Sequence, residues 1–342
     1  MGSRWLLAPL SALYWIVLSI RHWLYDKGFF LSRKVAVPTI CVGNLAVGGT
    51  GKTPHTECLI RLLSSQYKVA VLSRGYKRHT HGFLMADHTS TAATIGDEPM
   101  QIHRKFPEVA VAVCESRVRG VKQLLRMVPD LQVVLLDDAM QHRSLECGHT
   151  ILLTSHDNLY IDDRLMPWGR LRDLKHRSLA AQTVIITNCP NGMRPIDKRV
   201  IDNRLHLPAY QQLYFSHIAY EPLPETCKNP LVICGIAHPE TFVSYVQRQC
   251  PKAQVMTYPD HHRFGHKDEK QILAAAEKHD VVLTTEKDYE RLMLTNIPTL
   301  LGDKLHVVPI RVHLGKEEEA FQRQILSYVS RALKDLHKTK KV

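Results

Sequence analysis

The chain has 342 residues, an apolar share of 44% and a net charge of +12 at neutral pH. That length favours two folded units, and that apolar share excludes a disordered chain. The excess of Lys and Arg asks for an anionic partner: nucleotide phosphate, nucleic acid or an acidic membrane surface. Cys41, Cys58, Cys114, Cys147, Cys189, Cys227, Cys234 and Cys250 are scattered without a C-x-x-C pair. They read as reduced thiols of a cytoplasmic protein, with no zinc site among them.

The N-terminal stretch Trp5 to Ile20 is almost wholly apolar and is bounded by Arg4 and Arg21. It falls short of the roughly 20 residues that span hydrocarbon. A secretory leader has the same outline, but no small-residue cleavage site follows Ile20. Trp5, Tyr14, Trp15, Trp23 and Tyr25 suit a membrane interface, with Arg4, Arg21, Lys27, Arg33 and Lys34 meeting acidic headgroups. The expectation is a helix lying on the cytoplasmic leaflet; a helix buried in a groove of the protein or a dimer is the alternative.

Val35 to Val42 then predicts a buried strand, and Glu57 to Leu63 the first turns of a helix. Between them runs Ala46-Val47-Gly48-Gly49-Thr50-Gly51-Lys52-Thr53-Pro54, which supplies glycines, a lysine and a hydroxyl in the order of a phosphate-binding loop. The loop and helix N–H groups would hold phosphate oxygens, Lys52 would reach the β- and γ-phosphates, and Thr53 would take a Mg²⁺ position. The G-x-x-x-x-G-K-[ST] template has glycine where this chain has Ala46, and a plain tight turn is the bland reading.

Lys68 to Leu72 predicts a second strand running into Ser73-Arg74-Gly75-Tyr76-Lys77-Arg78. Arg74 thus sits just past a strand's carboxyl end, where a parallel sheet binds ligands. Gly96-Asp97-Glu98-Pro99 opens another helix, where acids often only complement the dipole. Val109 to Val113 is a third strand, followed by a helix over Val118 to Met127 that carries Arg119. Val133 to Leu136 ends in Asp137-Asp138, the Walker B arrangement, in which a carboxylate helps hold Mg²⁺. Strands at Thr150 to Leu153 and Val184 to Thr187 flank an arginine-dense loop ending in Arg172-Asp173.

Alternation over Gln211 to Tyr220 gives way to Glu221-Pro222-Leu223-Pro224-Glu225, read as the domain boundary. Strands at Leu231 to Cys234, Val255 to Tyr258, Val281 to Leu283 and Val307 to Val312 follow, with helices over Pro239 to Arg248 and Asp268 to Lys278. A C-terminal helix and the basic tail Lys338 to Lys341 close the chain. The predicted fold is α/β: a P-loop NTPase-like, mostly parallel sheet with helices on both faces, plus a second, smaller α/β domain. The predicted divisions are an apolar helix in 1–30, the P-loop domain in 31–220 and the second domain in 221–342.

Taken together, Gly48-Gly49-Thr50-Gly51-Lys52-Thr53-Pro54, Ser73-Arg74-Gly75-Tyr76, Gly96-Asp97-Glu98-Pro99, Asp137-Asp138 with Gln141-His142, Asp260-His261 and Thr285-Glu286-Lys287-Asp288 resemble the tetraacyldisaccharide 4'-kinases, the lipid A kinases of Gram-negative bacteria. The ordered set covers nearly the whole chain. It departs from the family at Ala139-Met140, where glycine and an apolar or aromatic residue are usual, and at Asp173, where glutamate is more common. The resemblance implies transfer of the ATP γ-phosphoryl group to the 4'-hydroxyl of a tetraacylated disaccharide 1-phosphate, giving lipid IVA, at the cytoplasmic face of the inner membrane.

It also implies Asp97 as the group that takes the hydroxyl proton. His261 could hydrogen-bond and orient that carboxylate, with His262 as the competing partner. Asp138 and Thr53 are the expected Mg²⁺ partners and Asp173 a further one, while Arg74 and Arg119 are placed at the substrate phosphate by charge and position. The expected ligands are therefore ATP, Mg²⁺, an acylated disaccharide lipid and the membrane surface, with no nucleic acid and no protein partner inferred. A reading of another class is a membrane-docked nucleotide switch without a lipid acceptor.

Overall fold

Runs such as Val69-Ala70-Val71-Leu72 and Val133-Val134-Leu135-Leu136 are apolar at every position because both faces of their sheet are covered. The computed structural model describes residues 4–339. After α1 (Ala8–Asp26), the first layer runs β1 (Thr39–Asn44), α2 (Lys52–Ser64), β2 (Val69–Ser73), β3 (Leu84–Met85), the short α3 (Ala92–Ile95), α4 (Asp97–Lys105) and β4 (Ala110–Val113). It continues through α5 (Arg117–Met127), β5 (Val133–Asp137), β6 (His149–Ser155), β7 (Thr183–Thr187), α6 (Pro195–Leu205) and β8 (Gln212–Phe215). These strands form one eight-stranded sheet ordered β3-β4-β2-β5-β1-β6-β7-β8. Only β3 runs antiparallel. The predicted mostly parallel α/β fold is the one observed.

The second layer holds β9 (His217–Tyr220), β10 (Leu231–Cys234), α7 (Pro239–Gln249), β11 (Gln254–Thr257), α8 (His266–Ala276) and β12 (Val282–Thr285). Then come α9 (Glu286–Leu292), α10 (Ile297–Leu301), β13 (Leu305–Val308), β14 (Ile310–His313) and α11 (Glu318–Thr339). Its parallel sheet is ordered β11-β10-β12-β13, and β9 pairs with β14 as a separate antiparallel ribbon.

Three sequence expectations are corrected. The first strand begins at Thr39 rather than Val35, since Pro38 has no N–H to give a ladder. The single strand expected over Val307 to Val312 is split at Pro309 for the same reason, its halves joining different sheets. The division 221–342 does not hold either: Phe321, Ile325 and Val329 of α11 are buried against Ile40, Val42, Leu59 and Val133 of the first layer. By packing, the second unit ends with β13, and the chain crosses between units twice, along β9 and along β14.

The N-terminal helix runs beyond Ile20, through Arg21 to Asp26, and ends before Gly28 in the left-handed region. With its preceding turn, Trp5–Asp26 is long and apolar enough to cross a membrane by length and composition. Most of its apolar side chains face outward. Leu6, Leu10, Leu13, Val17 and Ile20 are exposed, while Ser11, Leu18 and His22 are buried against the protein. Lys340 and Lys341 of the basic tail, and the side chain of Arg4, lie outside the described residues.

Because Ile325 is fully buried at the seam between α11 and the first sheet, Ile325→Ala should destabilise the protein by about 2–5 kcal/mol. A lower urea midpoint with unchanged slope is the expected result.

Candidate active site

The loop between β1 and α2 is shaped by glycines where the backbone requires them. Gly48 and Gly51 have φ of +115° and +78°, a region that a side chain resists. Ala46 needs no glycine, because it lies in an extended pairing with Leu171: Val47 N donates to Arg170 O at 2.8 Å and Arg172 N to Leu45 O at 2.8 Å. Thr50 is buried and its Oγ1 accepts from Asn44 Nδ2 at 2.6 Å. Gly49 faces the second unit, since a Cβ there would stand 3.3 Å from the His238 ring. Lys52, Thr53 and Pro54 form the first turn of α2, so the N–H end of that helix opens onto the loop.

His55, one turn into α2, braces the loop from behind. Its Nδ1 lies 2.7 Å from Gly51 O and its Nε2 2.9 Å from Ser216 Oγ. Burial drives its pKa down to about 4, because a charged imidazole has no solvation there.

Strand β5 delivers two carboxylates with opposite environments. Asp138 sits at φ +50°, a conformation uncommon for a residue with a side chain. Arg172 donates to both of its oxygens, and Lys52 Nζ is 3.9 Å from Oδ2. Burial alone would raise its pKa, but the Arg172 hydrogen bonds and the Lys52 charge overcome this and hold it below the usual carboxylate range. Asp137 is pushed up to about 7 by burial and by the Asp138 charge beside it. Its Oδ1 is buried with no hydrogen-bond partner among the described residues, and Ser73 Oγ donates to Oδ2 at 3.4 Å. A buried, unpaired carboxylate oxygen beside a second carboxylate fits a hard divalent cation such as Mg²⁺.

Asp97 begins α4 at the far side of the opening. His261 from the second unit places Nδ1 3.1 Å from Asp97 Oδ2, and Arg291 Nε is 3.6 Å from the same oxygen. Lys287 Nζ is 3.2 Å from His261 Nε2, Asp260 Oδ1 and Glu98 Oε1. With Lys287 donating to Nε2, the ring's proton lies on Nδ1 and points at Asp97. The expected His261–Asp97 contact is therefore made, while His262 bonds Asp268 Oδ2 at 3.0 Å instead. The Glu98 charge adds to the rise of Asp137, after burial and the Asp138 charge.

Asp173 does not join this group. It is fully buried, with Oδ1 2.6 Å from His22 Nε2 of α1 and accepting from Leu174 N at 2.8 Å. Successive residues of an extended segment point opposite ways, so Arg172 faces the loop and Asp173 faces α1. Arg74 is exposed just past β2, and its charge reaches Arg117 and His142. Arg119 lines a groove of about 400 Å³ with Arg33, Lys122 and Arg126. The sequence reading missed Arg172, Lys287 and Arg291 as site residues. The arginine-dense loop and the Thr285-Glu286-Lys287-Asp288 run were the available signals.

The family model described as tetraacyldisaccharide-1-P 4'-kinase matches residues 3–330. The tetraacyldisaccharide 4'-kinase of Bacteroides thetaiotaomicron is 42% identical, covering 95% of this chain and 93% of its own. That of Flavobacterium johnsoniae is 40% identical, covering 96% and 98%. Among solved structures, that of the Aquifex aeolicus LpxK protein in complex with ATP superposes with a TM-score of 0.73 at 27% identity, covering 95% of this chain and 99% of that one.

A neutral buried His55 makes stability depend on pH with a defined sign. Its folded pKa of about 4 lies below the ordinary 6.5, so the unfolded chain takes up the proton first as pH falls. The stability is complete above pH 6.5 and is lost progressively toward pH 4, by up to about 3 kcal/mol. His142 and His149, also lowered to about 4 by burial, add to the same window. His55→Gln should flatten part of that fall in urea titrations at stepped pH.

Proposed function

The chain belongs to the tetraacyldisaccharide-1-P 4'-kinase family, and we propose that it carries out that family's reaction with Lys52, Asp97, Asp138 and His261 as the working groups. The reaction transfers the γ-phosphoryl group of ATP to the 4'-hydroxyl of a tetraacyldisaccharide 1-phosphate. The hydroxyl oxygen bonds to the γ-phosphorus, the bond from that phosphorus to the bridging oxygen breaks, and ADP leaves. The observation that carries the residue assignment is the Asp97–His261 pair, held at 3.1 Å across the two units.

Phosphoryl transfer requires in-line placement, charge neutralisation and an acceptor for the hydroxyl proton. Residues 46–53 hold the triphosphate through backbone N–H groups, and Lys52 adds its charge at the β- and γ-phosphates. Asp97 takes the hydroxyl proton, while His261, donating from Nδ1, fixes which carboxylate oxygen is presented. Lys287 keeps the imidazole in that tautomer. Thr53, Asp138 and Asp137 would hold Mg²⁺, which when bound neutralises the β- and γ-phosphate oxygens; Asp173 is not included. Arg74 and Arg119 take the acceptor's own phosphate, Arg119 through its basic groove beside Leu31.

The lipid acceptor is met at the membrane surface, on the cytoplasmic face of the inner membrane. Support for this lies in α1, most of whose apolar side chains face out, Leu18 being buried, while polar ones bond the protein: Tyr14 OH donates to Arg172 O at 2.8 Å, and Arg21 to Gln141 O at 2.7 Å. A helix seated in a protein groove would be turned the other way. The docking also sets α1 against the segment that holds Asp138, so the bilayer edge and the phosphate loop are neighbours. The relatives are named as kinases, and nothing supports a switch lacking a lipid acceptor.

Purified protein with labelled ATP, Mg²⁺ and the tetraacyl disaccharide in detergent should yield labelled lipid; none would refute the kinase reading. Asp97→Ala should lower turnover by about 10²–10⁴-fold with ATP affinity retained. Equal loss of both would move Asp97 to the cation site. Replacing Leu13, Val17 and Ile20 together by Gln should abolish flotation with anionic vesicles while leaving the far-UV spectrum unchanged; full flotation of that variant would rule out α1 as the docking face.

A further inference from the structure

A tight turn brings His261 to Asp97, and the residue after it, His262, has no part in the reaction derived above. We propose that His262 is a positioning residue: its ring pins the turn of residues 259–262 to the start of α8, and this pin keeps the His261 imidazole against Asp97. The inference rests on the reading of Asp97 and His261 as working groups and extends it by one residue.

The backbone at His261 calls for such a pin. His262 N donates to Pro259 O at 3.0 Å, closing a turn in which His261 stands third. Its φ is +59°, in the left-handed region. A turn with positive φ at its third residue usually has glycine or asparagine there. A larger residue keeps that conformation only where its surroundings fix it. The His261 ring bonds Asp97 and Lys287, which lie on α4 and α9. Those contacts tie the turn to other helices; neither ties it to the residues that precede and follow it.

On the upstream side the second unit's core holds the chain. Tyr258 N donates to Cys234 O at 2.8 Å, carrying the pairing of β10 with β11 one residue further. Gly235 leaves room for this, since a Cβ there would stand 3.3 Å from Tyr258 Cβ and 3.4 Å from Pro259 O. The Tyr258 and Phe264 rings, 5.0 Å apart, pack against a core cluster that includes Ile233, Ile272 and Leu292.

On the downstream side His262 does the holding. Its ring stacks on Tyr258 at 4.8 Å and meets Phe264 edge-on at 5.1 Å, so the three rings form one cluster. Its Nε2 lies 3.0 Å from Asp268 Oδ2, an oxygen that also accepts from Gly265 N at 2.8 Å. Asp268 is the third residue of α8, the place from which an acid reaches back to the helix's capping N–H. The Gly265 N–H, with the His262 hydrogen bond behind it, holds the Asp268 carboxyl below the usual range. The ionised carboxylate can only accept, so the His262 Nε2 carries the shared proton. One ring therefore joins the end of β11 to the start of α8, directly behind His261.

The test is a double-variant cycle on the full-length protein, with kcat and KM for ATP measured in the labelled-ATP assay. His262→Ala should lower kcat by roughly tenfold to a hundredfold with KM for ATP unchanged, because a shift of about 1 Å in a working group can cost that much. In a His261→Ala background, adding His262→Ala should change kcat by less than about twofold, since the ring it places is gone. A wild-type kcat for His262→Ala, a matching rise in KM for ATP, or a further fall of about tenfold in the His261→Ala background would each overturn the positioning role. All three leave the kinase reading standing. A wild-type kcat for His261→Ala would remove the Asp97–His261 reading, and this inference with it. Should His262→Ala not fold, His262→Phe, which keeps the stack and loses the bond to Asp268, enters the same cycle with an expected fall of about tenfold, and a wild-type kcat for it overturns the role.

Discussion

The contact on which the rest depends is the one Arg172 makes with Asp138. Three residues of an arginine-rich loop pair with three residues of the phosphate loop, and that pairing alone aims Arg172 into the site. There it donates to Asp138 and to Asn44 Oδ1 at 2.5 Å, so one guanidinium holds the loop's entry strand and the carboxylate of the neighbouring strand together. Asp138 can occupy its left-handed backbone geometry because both oxygens are fixed. On the opposite side of the same backbone, Asp173 grips His22, and Arg172 O accepts from Tyr14. A dipeptide thus joins the nucleotide loop, a β5 carboxylate and the outward-facing helix.

Placing Asp137 and Asp138 side by side in a buried site separates their proton affinities. The arginine and lysine charges favour ionisation of Asp138, and burial together with that charge pushes Asp137 up to about 7. Two adjacent carboxylates that titrate apart are a common means of giving neighbouring acids different tasks. Among the described residues, one oxygen of Asp137 is also buried without a hydrogen-bond partner. A divalent cation would relieve that arrangement, which is why these residues suit Mg²⁺ better than they suit an empty site.

The sequence made some of this plain and hid the rest for reasons of range and period. The phosphate loop was readable because backbone conformation within a few residues makes it, and Gly48 and Gly51 stand where positive φ is needed. Asp97 and His261 are 164 residues apart, and no local pattern joins them; only the resemblance to a family put them together. Asp173 illustrates the converse error. At the end of an arginine-dense loop it reads as a cation ligand, yet the two-residue period of an extended segment turns it to the opposite side. The proline-rich break after Tyr220 was legible as the end of β9, but the packing of α11 on the first sheet was not. Its apolar face fits any core, and only the antiparallel pairing of β14 with β9 brings it back to the first sheet.

That return has a mechanical consequence for the site. With β9 and β14 paired as a ribbon and α11 fixed to the first sheet, the second unit is attached through two adjacent strands rather than one flexible linker. A two-stranded ribbon restricts relative motion to bending and twisting about its own axis. The loops of the second unit that meet the first are Ala237-His238 at Gly49 and Asp260-His261 at Asp97. One faces Gly49 in the loop between β1 and α2, and the other faces Asp97. The ion pairs Arg104–Glu290 and Lys105–Glu286 lie along the same seam, joining α4, which opens with Asp97, to α9, which carries Lys287 and Arg291. Because Asp97 and its second-unit partners are held by paired elements on one short interface, the geometry of the Asp97–His261 pair is set by how the two units meet.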